Sequence, residues 1–220
     1  MLYLWPKTSS MIGMHQTFGV MATPTTEGPY AGIREGRWWA LDNGAYAGFD
    51  ADAFDAKCEE LQPYRDRCLF IVCPDVMTDA VATLDLYYKW ADSVGRYGPV
   101  AFVAQDGQQH LDFPVAFDWL FVGGTTEWKM GQGAKQCIQR AKVLDKPVHV
   151  GRVNSIKRFR YFQRLEVDSA DGTFPIYEPD TATRRLTQCV AQPLLYDCLP
   201  DGYHRRQPRD GVAGPVGDTD

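Results

Sequence analysis

Short apolar runs alternate along this chain with stretches in which apolar residues recur every three or four positions. The short runs are rich in β-branched and aromatic residues and read as strands, whereas the longer spacing is that of a helix with one buried face. The predicted strands are Leu2 to Trp5, Gly19 to Ala22, Trp39 to Asp42, Leu69 to Pro74, Val100 to Gln105, Trp119 to Gly123, Val148 to Arg152 and Glu166 to Asp168. Between them, Val81, Leu84, Tyr88, Ala91 and Val94 mark one amphipathic helix, and Ala134, Cys137, Ile138, Ala141 and Leu144 mark a second. Phe54, Cys58 and Leu61 form a shorter helix behind Asp50, and Ile156, Phe159, Phe162 and Leu165 form another behind Ser155, each with a good N-cap residue in front. The links after the first two strands, and the link from Gln108 to Asp118, carry weaker helical patterns.

Strand, helix, strand in succession implies parallel pairing. A doubly wound open sheet would give the same alternation, but a count of eight favours a compact α/β fold of the (β/α)8, TIM-like kind. The length of 220 residues, 45% of them hydrophobic, is near the lower size for such a barrel. Residues 1–204 are expected to form this single domain. From Arg205 to Asp220 the chain is polar and rich in Gly, Pro and Asp, the composition of a disordered tail.

The formal net charge of −5 argues against a protein that holds nucleic acid by overall basicity, while leaving room for a local basic face. Six cysteines are scattered without the density of a disulfide scaffold and are expected to be reduced thiols inside a cell. Met1 to Pro6 is apolar but short and lacks a basic leader, and no apolar run approaches the roughly 18 residues of a membrane span, so the expectation is a soluble, cytoplasmic protein with no membrane partner.

In either α/β architecture reactive groups gather at the C-terminal ends of strands. Here those ends read Asp42-Asn43-Gly44, Pro74-Asp75, Gln105-Asp106-Gly107, Gly123-Gly124-Thr125 and Asp168-Ser169-Ala170-Asp171-Gly172-Thr173. Turns and helix caps account for any one of them. Together they put carboxylates, an amide and a Gly-Gly backbone on one rim, groups that can grip the edge of a planar heterocycle such as a purine. Two carboxylates at a sugar carbon also suit glycosidic chemistry, one attacking and one moving protons, without a metal.

The succession Asp42-Asn43-Gly44, Pro74-Asp75, Gln105-Asp106-Gly107, Gly123-Gly124 and Val167-Asp168 resembles the tRNA-guanine transglycosylase superfamily over roughly residues 39 to 175. The segments Phe121 to Glu127 and Asp168 to Thr173 look most like its DNA-modifying branch in phages and bacteria, which inserts 7-deazaguanine bases into DNA. The resemblance implies a transferase in which Asp168 attacks the sugar carbon and holds a covalent intermediate while Asp42 is the general acid/base. Asp171 is the reserve nucleophile if the loop register differs. Asp75, Gln105, Gly123 and Gly124, with Asn43 beside them, would line the pocket for guanine and for a replacement such as 7-cyano-7-deazaguanine. It further implies a DNA partner, a tRNA being less favoured, and a bacterial or phage setting. A second copy or a partner subunit is left open by the small size.

The chain departs from the tRNA-acting enzymes in lacking their zinc subdomain. Cys189, Cys198 and His204 come nearest, loosely spaced and without a fourth ligand, so no cofactor is expected. Arg152, Lys157 and Arg158, followed by Arg160 and Arg164, form a basic stretch before strand eight that can grip phosphates, with Arg184 and Arg185 as a second contact; the plainer reading is a solvated helix face. Trp38 with Trp39, and Tyr46 with Phe49, flank the Asp42 loop as stacking candidates or as core. His15, His110, His149 and His204 show no metal-ligand spacing and receive no role. Competing functions are a nucleoside hydrolase or deoxyribosyltransferase acting on free nucleosides, and a nucleic-acid-binding module without turnover.

Overall fold

The computed structural model describes residues 1–6 and 8–191. Eight parallel strands, β1 (Leu2–Trp5), β2 (Phe18–Ala22), β3 (Trp39–Leu41), β4 (Cys68–Val72), β5 (Val100–Ala104), β6 (Trp119–Val122), β7 (Val148–Val150) and β8 (Ser169–Asp171), pair in chain order, and β8 pairs with β1 to close a barrel. The helices are α1 (Ala31–Arg34), α2 (Ala51–Leu61), α3 (Ala80–Gly95), α4 (Thr126–Met130), α5 (Gln132–Val143), α6 (Ile156–Arg164), α7 (Phe174–Tyr177) and α8 (Pro179–Ala191). The fold is a (β/α)8 barrel, thin where the helical pattern is weak. No helix separates β1 from β2, and one 3-10 turn, Gln108–His110, stands between β5 and β6. No described helix is long and apolar enough to cross a membrane.

Side chains alternate across each strand, and the barrel separates the two sets. One set, including Val20, Leu41, Phe102, Val122 and Val150, packs outward against helix residues such as Phe54, Tyr87, Ile138 and Phe159. The other, Leu4, Met21, Ala40, Phe70, Val72, Ala101 and Val103, fills the interior beside Trp119 and Phe121. Asp50 and Ser155 cap α2 and α6 by accepting the backbone N–H groups of Ala53 and Arg158, as their sequence positions predict. The five described cysteines, Cys58, Cys68, Cys73, Cys137 and Cys189, are free and buried, and burial pushes the Cys137 thiol up to about 11. Residues 205–220 lie outside the described residues.

Two expectations shift. In α3 the buried positions are Ala80, Thr83, Tyr87 and Val94, whereas Val81 and Tyr88 are 59% and 61% exposed. The apolar spacing there fits two overlapping faces, and the one turned inward carries Thr83 and Tyr87, whose hydroxyls donate to Val76 O and Ala116 O. Strand eight starts three residues later than expected. Val167 has the stronger strand propensity, yet Glu166, at φ 55°, is still in the turn after α6, and the pairs Leu2 with Ser169 and His149 with Ser169 fix the register.

That shift moves Asp168 to the N-terminal end of the barrel. Its backbone carbonyl accepts from Leu2 N at 2.8 Å, and its carboxylate accepts from Val148 N, the first residue of β7, at 2.8 Å. Asp118 does the same for Val100 at the start of β5, at 2.7 Å. Both carboxylates supply acceptors for strand-opening N–H groups. Asp168→Ala is therefore expected to lower the unfolding free energy by about 1 kcal/mol, seen as a lower urea midpoint at unchanged slope, with Asp168→Asn costing less because it keeps an acceptor oxygen. An unchanged midpoint for the alanine variant would show that the bond contributes nothing.

Candidate active site

Continuing the interior phase of each strand by two residues leads from Ala40 to Asp42, from Val103 to Gln105, from Phe121 to Gly123, from His149 to Gly151 and from Ser169 to Asp171. The C-terminal rim is thus built by the same alternation that builds the core. Asp75 joins it from the loop after β4.

Asp75 is held by two amides. Asn43 Nδ2 donates to its Oδ1 at 2.7 Å and Gln105 Nε2 donates to its Oδ2 at 2.5 Å. The other amide ends are also fixed, since Asn43 Oδ1 accepts from Ala45 N at 2.8 Å and Gln105 Oε1 accepts from Thr78 N at 3.0 Å. Burial raises the pKa of Asp75 above the usual carboxylate value, and the two amides and the Arg152 charge oppose that rise. Gly123 makes room for this arrangement, because a Cβ there would lie 2.8 Å from Gln105 Nε2 and 3.0 Å from Val103 Cγ1. Gly124 has φ 74°, and a Cβ would lie 2.5 Å from Asp106 Oδ2. Asp106 in turn accepts from Thr125 N and Oγ1, tying the loops after β5 and β6 together.

Asp42 has no such amides. Its pKa is raised from 3.8 to about 7, first by desolvation and then by the charges of Asp171 and Asp75, against weaker support from the backbone N–H groups of Asn43 and Gly44. Asp171 accepts from His149 Nε2 at 3.0 Å and from Arg152 N at 3.2 Å, both on Oδ1. Asp171 and Asp75 thus both bear on the Asp42 carboxyl, Asp171 the more strongly. Asp168, expected from sequence to attack, is not brought to Asp42; it lies at the other end of the barrel because β8 is displaced by three residues.

Arg152, in a left-handed conformation at φ 58°, extends from the end of β7 across the mouth, its guanidinium 4.9 Å from the Tyr46 ring centre and 3.9 Å from Met77 Sδ. Lys129, 5% exposed, donates to Gly151 O at 2.6 Å, and desolvation followed by the Arg152 charge lowers its pKa to about 8. Lys157 and Arg158 belong to the first turn of α6, which follows the rim end of β7, whereas Arg164 closes that helix and Arg184 and Arg185 are exposed on α8. An open depression of about 330 Å³ between the loops after β4 and β5, lined by Thr78, Asp79, Asp106 and Gly107, adjoins the rim.

Three aromatic candidates fall elsewhere. Trp39 is 1% exposed at the N-terminal end of β3 and donates to Tyr64 O at 2.9 Å, while Trp38 stacks under Arg67 at 5.0 Å. Phe49 packs on Phe54 and Trp90. Tyr46 alone of the four stands at the mouth. Cys189 is 3% exposed and its Sγ accepts from Arg160 Nε at 3.3 Å, while Cys198 and His204 lie outside the described residues. Among the described residues no group of three or more His, Cys, Asp or Glu is placed to hold a metal ion. Sequence reasoning missed His149 and Lys129. His149 follows the interior phase two residues before Gly151, a signal readable once the strand phase is known; Lys129 has no comparable mark.

No family model matches the chain, and no curated protein matches it. Among solved structures, BlrP1 of Klebsiella pneumoniae, in a manganese/cy-diGMP complex, is similar with a TM-score of 0.40 and 14% identity, covering 66% of this chain. The match spans 41% of that protein's chain. A likeness of that size carries nothing about ligand or reaction, so the site is argued from its own residues.

The raised pKa of Asp42 has a direct consequence for stability. Between about pH 4 and about pH 7 the folded protein keeps a proton that the unfolded chain has lost, so this contribution is complete below the unfolded value and disappears as pH rises through about 7. Asp42→Asn is expected to flatten the fall in melting temperature between about pH 5 and about pH 8 and to be more stable than the parent at the alkaline end. An unchanged pH slope would mean that Asp42 ionises as an ordinary carboxylate.

Proposed function

We propose that this chain is a base-exchange transglycosylase that replaces guanine in DNA with a 7-deazaguanine derivative. The observation that carries the reading is the pairing of a proton-holding carboxylate, Asp42, with a hydrogen-bonded one, Asp171, beside the amide-clamped Asp75 and Gln105. DNA as the polymer, and 7-cyano-7-deazaguanine as a suitable incoming base, rest on the resemblance of the rim motifs.

Asp75 can only accept hydrogen bonds when ionised, and Gln105 Nε2 has a second hydrogen beyond the one given to Asp75. Guanine offers the matching edge: N1–H and the exocyclic amine as donors beside O6 as acceptor. Adenine presents the reverse order and leaves buried polar groups unpaired. A 7-deaza base keeps the guanine edge unchanged, so one pocket serves both the leaving and the entering base. Gly123 and Gly124 leave the backbone open for close approach.

Asp171 is the nucleophile in this reading, the reserve candidate taking the role that the resemblance implies for Asp168. A lone pair on Asp171 Oδ2 forms a bond to the anomeric carbon as the carbon–N9 bond breaks. The electron pair leaves with guanine, which takes a proton from Asp42. A 7-deazaguanine then loses its N9 proton to the Asp42 carboxylate, and N9 displaces Asp171 from the sugar. A group near pH 7 can both give and regain that proton. The target base has to leave the duplex stack, with Tyr46 and Arg152 at the mouth and Lys157 and Arg158 at the rim for phosphates.

The test is incubation of purified protein with duplex DNA and 7-cyano-7-deazaguanine, with tRNA in parallel, followed by nucleoside mass spectrometry. Incorporation into DNA is expected for the parent protein and for Asp168→Asn, with a loss of about 10³-fold or more for Asp171→Ala. Turnover of free nucleosides without polymer would instead identify a nucleoside hydrolase or deoxyribosyltransferase. Base binding without turnover would identify a binding module, and tRNA labelling alone would redirect the substrate. Gly123→Ala, which drives a methyl group against Gln105, is expected to weaken binding of the incoming base by about tenfold, or about 1.4 kcal/mol, read by calorimetry. Unchanged binding would remove Gln105 from the pocket.

A further inference from the structure

Among the described residues, His149 is the one buried titratable side chain hydrogen-bonded to Asp171 that the scheme above leaves without a task. It is 0% exposed in the middle of β7, its ring centre 5.0 Å from that of Phe70 and 4.7 Å from that of Phe121. Burial in this apolar setting lowers its pKa and keeps the imidazole neutral, although Asp171 pulls the other way and Lys129 adds to the lowering. A neutral imidazole has one donor and one acceptor nitrogen. Nε2 faces Asp171 Oδ1 at 3.0 Å and Nδ1 faces Ser169 Oγ at 2.8 Å. A carboxylate can only accept, so its contact assigns the hydrogen to Nε2, and Nδ1 accepts from the Ser169 hydroxyl.

The order of these groups resembles a hydrolase triad, but the geometry runs the other way. Ser169 is 0% exposed and is the direct cross-strand partner of His149 inside the barrel, while Asp171, two residues nearer the rim, has 20% of its side-chain surface open. Ser169 therefore fixes the tautomer, and the imidazole acts upward on the carboxylate. Asp171 Oδ1 receives a second donor from Arg152 N at 3.2 Å, and among the described residues no hydrogen bond reaches Oδ2. One oxygen is clamped and the other is presented.

Building on the reading of Asp171 as nucleophile, we propose that His149 is a positioning residue that, together with the Arg152 backbone N–H, cradles Oδ1 so that Oδ2 attacks the sugar carbon. When the Oδ2–carbon bond forms and the carbon–N9 pair departs with the base, Oδ1 becomes the carbonyl oxygen of a glycosyl ester and keeps both donors. When the entering base takes the sugar, the bonding pair returns to the carboxylate, and charge redevelops on an oxygen already facing two N–H groups. Preplaced donors at a point of developing charge act most strongly in that second half. The cradle thus mainly speeds release of the covalent intermediate.

His149→Phe keeps a flat ring of similar size between Phe70 and Phe121 and removes the donor; His149→Gln restores an N–H donor. With duplex DNA and labelled guanine, His149→Phe is expected to lower kcat for exchange by about 10²-fold with KM for the base unchanged. Its protein–DNA adduct on a denaturing gel is expected to persist longer than in the parent, and His149→Gln should recover to within about tenfold of the parent rate. Melting curves of both variants report the fold. Parent-like exchange by His149→Phe, equal loss in both variants, or a loss confined to KM would overturn the positioning role. Absence of both exchange and adduct in the parent protein would instead overturn the transglycosylase reading itself.

Discussion

A carboxylate drawn out of water needs donors, a counter-charge or a proton, and the C-terminal rim of this barrel brings three carboxylates together. Each is accommodated differently. Asp75 is clamped by the side-chain amides of Asn43 and Gln105, Asp171 by one imidazole and one backbone N–H, and Asp42 by holding a proton up to about pH 7. These solutions depend on one another. The charges left on Asp75 and Asp171 help keep the proton on Asp42, and a protonated Asp42 spares those two a third negative neighbour. Much of the rim follows from this, including the glycine at position 123 that leaves space for Gln105 and the buried Lys129 that brings a cation near Asp171.

The barrel was readable from the sequence because its two side-chain sets obey two clear periods. Seven of the eight strands start within one residue of where the apolar runs place them, and Asp50 and Ser155 announce their helices through local hydrogen bonds that need no tertiary context. Strand eight departs for a tertiary reason. Ser169-Ala170-Asp171 has little intrinsic preference for a strand, but closing the barrel requires a partner for both β1 and β7, and pairing overrides the better local candidate Val167. A displacement of three residues is odd, so it also exchanges the faces: Ser169 and Asp171 point where Asp168 would have pointed. That single register decides which aspartate stands at the rim.

The aromatic residues and His149 were hard to place for the opposite reason, since their neighbours in sequence are not their neighbours in space. Trp38 and Trp39 are within four residues of Asp42, yet a strand carries its two ends to opposite sides of the barrel, and the tryptophans remain with Arg67 and Tyr64 at the far side. His149 and Asp171 are 22 positions apart and touch only because β7 and β8 are adjacent in the closed sheet. Spacing rules for metal or nucleophile motifs examine one element at a time. They pass over a contact made laterally between two strands, although the alternation of each strand records it.

An acidic rim sets a condition on the polymer in the proposed reaction. Phosphates are repelled by Asp75 and Asp171, and by Asp42 once it ionises, so in that reaction a nucleic acid must be held by cations set outside the pocket while an uncharged base enters it. The chain has that layout on one side: Arg152 leans over the mouth on Tyr46, and Lys157 and Arg158 stand in the first turn of α6, where the helix dipole also favours an anion. A proton on Asp42 and a neutral His149 adjust the same balance, the first by removing one negative charge from the pocket and the second by supporting Asp171 without cancelling its charge. In the proposed reaction a charged imidazole would bind the carboxylate more tightly and blunt its attack. The apolar pair Phe70 and Phe121, whose packing buries His149 and favours its neutral form, therefore belongs to the proposed site as much as to the core.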